Sequence, residues 1–177
     1  MSEKNKYSKE DAYKALELTI SWINNADMKT SFGLAYLSAL VGLVLFKDSN
    51  TPNAITILLK CQNYSISQLL ALILVILLYM SLFLSLIMFF IALWGRIRSK
   101  TKTKSILFFG SIAQLSINNY KSKILNKKEQ NLIKEILEQT YINSVICNKK
   151  FKYYNRGIFL SIISTTLCFL CLIFNII

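Results

Sequence analysis

Hydrophobic and polar positions along this chain are sorted into blocks. Residues 69–94 form a run of twenty-six without a charge, a proline or a glycine, and as a helix that run would be roughly 39 Å long, more than the ~30 Å hydrocarbon core of a bilayer. Two further apolar runs cover residues 31–46 and 158–177. The first is short for a span unless Met28, Thr30 and the stem of Lys29 help to cross the interface. The pattern predicts an all-α membrane protein of three transmembrane helices, with boundaries at 31–46, 69–94 and 158–177.

Between the spans the pattern changes period. In residues 1–30, Ser8 and Asp11 make a capping-box start, and Tyr13, Leu16, Ile20 and Ile23 recur at helical spacing, so an amphipathic amino-terminal helix is expected. Asp27 lands on that apolar stripe. Residues 47–68, with Pro52 and several Asn and Ser, read as a loop. In residues 95–157 an apolar patch at 105–112 precedes a short helix capped by Ser116 and a longer helix from about Lys128. The apolar stripe of that longer helix rotates near Gln139, which predicts a bend or a change of partner.

Charge gives the spans a direction. Residues 96–156 hold fourteen Lys or Arg against three Glu, whereas residues 47–68 hold two Lys and one Asp. The positive-inside rule places the basic segment and the amino terminus in the cytoplasm and the carboxyl terminus outside. The same rule accounts for the net charge of +12 and pI near 9.6 without invoking nucleic acid. The polar, charged first thirty residues predict no cleaved signal peptide. A multi-pass membrane location with a cytoplasmic amino terminus is expected.

Small residues suggest how the spans pack, because they let helix backbones approach in lipid. One such seam is expected on Ser31, Ala35, Ser38 and Gly42. A second is expected on Ala71, Ser81, Ser85, Ala92 and Gly95, and a third on Gly157, Ser161, Ser164, Thr165, Cys168 and Cys171. These seams are compatible with a three-helix bundle or a homo-oligomer. No Asp, Glu, Lys or Arg lies in mid-span, which argues against an ion relay.

Catalytic patterns are absent from the chain. It has no Gly-rich phosphate loop, no G-x-S-x-G and no histidine, so no enzyme, metal or cofactor is expected. Cys61, Cys147, Cys168 and Cys171 form neither a disulfide framework nor a zinc pattern.

Three segments carry a resemblance. Ala26-Asp27-Met28-Lys29, Leu107-Phe108-Phe109-Gly110-Ser111-Ile112-Ala113, and the stretch 139–151 with Gln139-Thr140, Ser144-x-Ile146 and Lys150-Phe151 stand in the order seen in the Pycsar transmembrane effectors. The chain resembles that family over most of its length outside 47–68. It departs from the family pattern at Thr30, where Ala is usual, and at Phe151, where Tyr is usual.

The resemblance implies an antiphage effector that responds to a cyclic pyrimidine mononucleotide, cUMP or cCMP, made by a partner cyclase, and then impairs the membrane. Such a ligand needs a cation for its phosphodiester and an apolar or aromatic wall for its base. Lys29 or Lys150 could meet the phosphate, and Phe108, Phe109 and Gly110 could form the wall. Asp27 is expected to fix a lysine. Packing explains the same residues equally well, as an interior Phe-Phe-Gly and an Asp27 to Lys150 ion pair at the membrane surface. A constitutive holin-like pore-forming toxin, or a membrane scaffold that docks a soluble partner, are the alternatives.

Overall fold

A computed structural model describes residues 7–46, 66–94, 105–174 and 176, with the side chains of Phe46 and Phe109 excepted. Among these, every regular element is helical: α1 (Lys9–Phe46), α2 (Ile66–Trp94), α3 (Phe109–Ile112), α4 (Ile117–Leu125) and α5 (Glu129–Ile173). Three of them, α1, α2 and α5, are long and apolar enough to cross a membrane. Of the loop expected over 47–68, residues 47–65 lie outside the described residues, as do Gly95 and residues 96–104, while 66–68 are the first residues of α2, helical where a loop was expected.

The chain divides into two compact units, residues 1–26 with 95–149 and residues 27–94 with 150–177. In the first unit, α1 begins as its sequence requires. The Asp11 N–H donates to Ser8 Oγ at 3.1 Å and the Ser8 N–H donates to Asp11 Oδ2 at 3.0 Å, the reciprocal arrangement that satisfies two orphan donors of a first turn. Ser8 holds the Asp11 carboxyl below its ordinary value, chiefly through its side-chain hydroxyl. Ala12 and Ala26 are fully buried here, while Ile20 is exposed. Small residues, and not the larger apolar stripe alone, make the closest contacts of this stretch.

The short helix α4 starts at Ser116, whose hydroxyl accepts from the Asn119 N–H. Its successor α5 runs from Glu129 to Ile173 without a break in hydrogen bonding, so the rotating stripe near Gln139 does not end the helix.

The second unit is a three-helix bundle. Its buried positions on α1 are Thr30, Gly33, Leu37 and Val44; on α2, Val75, Leu78, Ser81, Leu82, Ser85, Phe89 and Ala92; on α5, Lys150, Gly157, Ser161, Ser164, Cys168 and Cys171. These positions are separated mostly by three, four or seven residues, the seam of left-handed bundle packing. Of the seams expected on α2 and on the last span, Ser81, Ser85 and Ala92 and Gly157, Ser161, Ser164, Cys168 and Cys171 are buried, while Ala71 and Thr165 are half-buried.

The seam expected on the first span is not the buried one. Ser31, Ala35 and Ser38 are exposed, and Thr30, Gly33 and Leu37 face inward in their place. Ser31 and Ser38 return their hydroxyl protons to the carbonyls of Asp27 and Leu34, so neither needs a partner across the bundle. A run of small residues every three or four positions marks a possible close-packing face but does not choose between two such faces.

Hydroxyl pairs tie the bundle crosswise. Ser85 bonds both the Gly157 carbonyl at 2.9 Å and Ser161 Oγ at 2.8 Å, and Ser164 bonds Ser81 Oγ at 2.8 Å. Tyr36 Oη lies 2.6 Å from Thr165 Oγ1. Because the Thr165 proton goes to the Ser161 carbonyl, Tyr36 is the donor in that pair. In lipid such bonds are the interhelical glue that a purely apolar contact lacks.

Candidate functional site at the charged end of the bundle

The end of the bundle where α1 enters, α2 finishes and α5 begins its apolar turns carries all of the unit's described charge. Lys150 is the centre of it. Its ammonium pairs with Asp27 of α1 and donates to the Leu93 carbonyl of α2 at 3.1 Å. The last carbonyls of a helix have no partner within it, and a cation suits the negative end of the helix dipole. One lysine thus closes the end of α2 and joins all three spans. Only 8% of the Lys150 side chain is exposed, against 41% for Asp27.

Lys29, two residues along α1, lies over the Phe151 ring at 5.7 Å from its centroid. That distance is within cation–π range, so Phe151 supplies an aromatic face to the lysine. Thr30 sits on the buried seam.

Just below this level, Phe89 of α2 is completely buried between two glycines. A Cβ added to Gly33 of α1 would fall 2.7 Å from its ring, and one added to Gly157 of α5 would fall 2.8 Å from it. Tyr154 closes the contact with its ring centroid 6.2 Å away. Phe89 and the carbonyl of Leu93 escaped the sequence reading, which considered neither backbone acceptors nor glycines opposed across chain-distant helices.

The Phe-Phe-Gly segment belongs to the first unit. Phe108 is 46% exposed, and its ring lies where a Cβ on Gly110 would approach to 2.7 Å. Gly110 therefore lets the Phe108 ring fold back on its own turn. The preceding strand of backbone is held by Glu135 of α5, one oxygen accepting the Ile106 N–H and the other pairing with Lys127. Burial pushes the Lys127 ammonium below its ordinary value, with Glu138 pulling the other way. Glu135 also escaped the sequence reading, where it was one of three acids in a basic segment.

Of the six residues singled out, Asp27, Lys29 and Lys150 are gathered in the second unit, Phe108 and Gly110 in the first, and the Phe109 side chain lies outside the described residues. No group of His, Cys, Asp and Glu able to hold a metal occurs among the described residues.

Comparison with known proteins settles the family. The model of the Pycsar effector protein domain, PycTM, matches residues 11–177. The chain is 34% identical over 194 aligned positions to the Pycsar effector protein GmPycTM of Gulbenkiania mobilis, an alignment that covers 93% of each. No solved structure matches it. With three membrane-crossing helices and a family match that takes in all of them, the chain belongs to the Pycsar transmembrane effectors, a family of membrane proteins of antiphage defence.

Proposed function

We propose that this effector is activated by a cyclic pyrimidine mononucleotide, cUMP or cCMP, supplied by a partner cyclase, and that it then impairs the integrity of the bacterial inner membrane as a homo-oligomer, without catalysing a reaction. The observation that carries the reading is the position of Lys150, which joins α1, α2 and α5 through the Asp27 carboxylate and the Leu93 carbonyl.

The ligand's phosphodiester is an anion of the same charge as Asp27. Drawn to Lys150 as Asp27 holds it, or to Lys29 beside it, it acts on three spans through one cation. Phe108, whose ring is exposed on the first unit, is assigned to the aromatic surface that a pyrimidine needs, with Gly110 assigned beside it on its sequence. Phe109 is assigned to the same role on its sequence alone.

Membrane depolarisation in cells that carry the protein with and without a pyrimidine cyclase tests this reading. The expected result is depolarisation only with the cyclase, and its loss in Asp27→Ala and Lys150→Ala although both still insert. Damage without any cyclase would replace the proposal with a constitutive pore, and equal, absent damage in both strains would remove it. Binding of cUMP and cCMP but not cAMP by the detergent-purified protein is the matching measurement in vitro.

A further inference from the structure

Among the described residues of the second unit, the acids and bases are Asp27, Lys29, Lys150, Lys152 and Arg156. Asp27 and Lys150 neutralise one another, and Lys29 lies over Phe151. Lys152 and Arg156 are exposed and stand four residues apart on α5, so they occupy one face a single turn apart. The Arg156 guanidinium lies over the Tyr153 ring, 5.9 Å from its centroid, which fixes the cation close to the helix.

That face continues as an apolar one. Phe159, Ile163 and Leu170 follow at helical spacing from Lys152 and Arg156, with Phe159 64% exposed and Leu170 37% exposed. Two cations therefore head an exposed apolar stripe that no other described helix of the unit covers. The division of charge and hydrocarbon along the stripe is the division along an anionic phospholipid. Among the described residues of the unit no free carboxylate competes, because Asp27 is engaged by Lys150.

We propose that this face of α5 seats an anionic phospholipid, with its phosphate between Lys152 and Arg156 and an acyl chain along Phe159 and Leu170. A zwitterionic lipid gains the apolar stripe but carries a cation of its own against the pair. A free phosphate gains the pair but not the stripe. Only a lipid of net negative charge gains both, so the face selects the headgroup. This surface is separate from the residues assigned to the nucleotide, and it stands whether or not that assignment does.

The test uses the full chain in phosphatidylcholine nanodiscs doped with phosphatidylglycerol, reading the lipids retained by native mass spectrometry. Each basic residue beside an anionic leaflet is worth about five-fold, so the wild type should favour phosphatidylglycerol by roughly twenty- to thirty-fold. Lys152→Gln with Arg156→Gln should erase that preference, and Lys152→Arg with Arg156→Lys should keep it. Millimolar glycerol phosphate should not displace the lipid. Equal retention of both lipids by the wild type, an undiminished preference in the Gln pair, or displacement by glycerol phosphate would each overturn the proposal. The charge-conserving Lys152→Arg with Arg156→Lys pair separates loss of the two cations from misfolding of a variant.

Discussion

At the scale of single residues, the informative contrast is between the two halves of the Asp27 to Lys150 pair. Removing one partner of a buried ion pair costs more than the pair itself contributes, since the group left behind has lost its water as well. The side chain of Lys150 is 8% exposed and that of Asp27 is 41% exposed. Asp27→Ala therefore strands a buried ammonium with only the Leu93 carbonyl, whereas Lys150→Ala leaves a carboxylate that still reaches solvent. We expect Asp27→Ala to cost about 2–3 kcal/mol of bundle stability and Lys150→Ala about 1 kcal/mol, measured by denaturant titration in mixed micelles. An equal cost would mean that burial does not govern the pair. Sequence made Asp27 conspicuous, as an acid on an apolar stripe just ahead of a span. An ion pair with Lys150 was one reading of the sequence; the fold makes that pair and adds the Leu93 carbonyl to it.

At the scale of elements, packing between helices turns on Phe89 and the two glycines that flank it. Overfilling a tight core costs about 1–3 kcal/mol, and Gly33→Ala should fall in that range because its new methyl meets a ring already confined by Gly157. Truncating the ring removes the obstruction while opening a cavity worth about 3–5 kcal/mol. In a Phe89→Ala background, Gly33→Ala should then be neutral, so a double-mutant cycle should show a coupling of at least about 1 kcal/mol. Additive effects would place the clash elsewhere. The α2 and α5 seams were legible in the sequence because their small residues coincide with a heptad. On α1 two faces offered small residues, and the choice of Thr30, Gly33 and Leu37 over Ser31, Ala35 and Ser38 depended on where Phe89 and the serines of the other helices came to lie.

For the whole molecule, orientation rests on the charge asymmetry between residues 47–68 and 96–156, through the positive-inside rule. Its cysteines give a direct measurement. A membrane-impermeant maleimide applied to spheroplasts should label Cys61, and should reach Cys147 only after permeabilisation. Cys168 and Cys171 are buried in the bundle and should react in neither case. Labelling of Cys147 from outside would invert the topology. The cyclase experiment belongs to this scale too, since membrane damage is a property of the assembled protein and not of any one contact.

The all-α class, the three apolar helices, the capped starts at Ser8 and Ser116 and the order of the family segments are written in the residues themselves. Each of these follows from local physics: hydropathy summed over a bilayer's thickness, hydrogen-bond needs at helix ends, and side chains read in register. Only the tertiary structure decided that Lys150 closes the end of α2, that Phe89 sits between Gly33 and Gly157, and that Glu135 holds the segment before Phe108. Those contacts join residues many tens of positions apart, and they use backbone carbonyls and missing side chains, which leave no mark in the pattern of hydrophobic and polar letters.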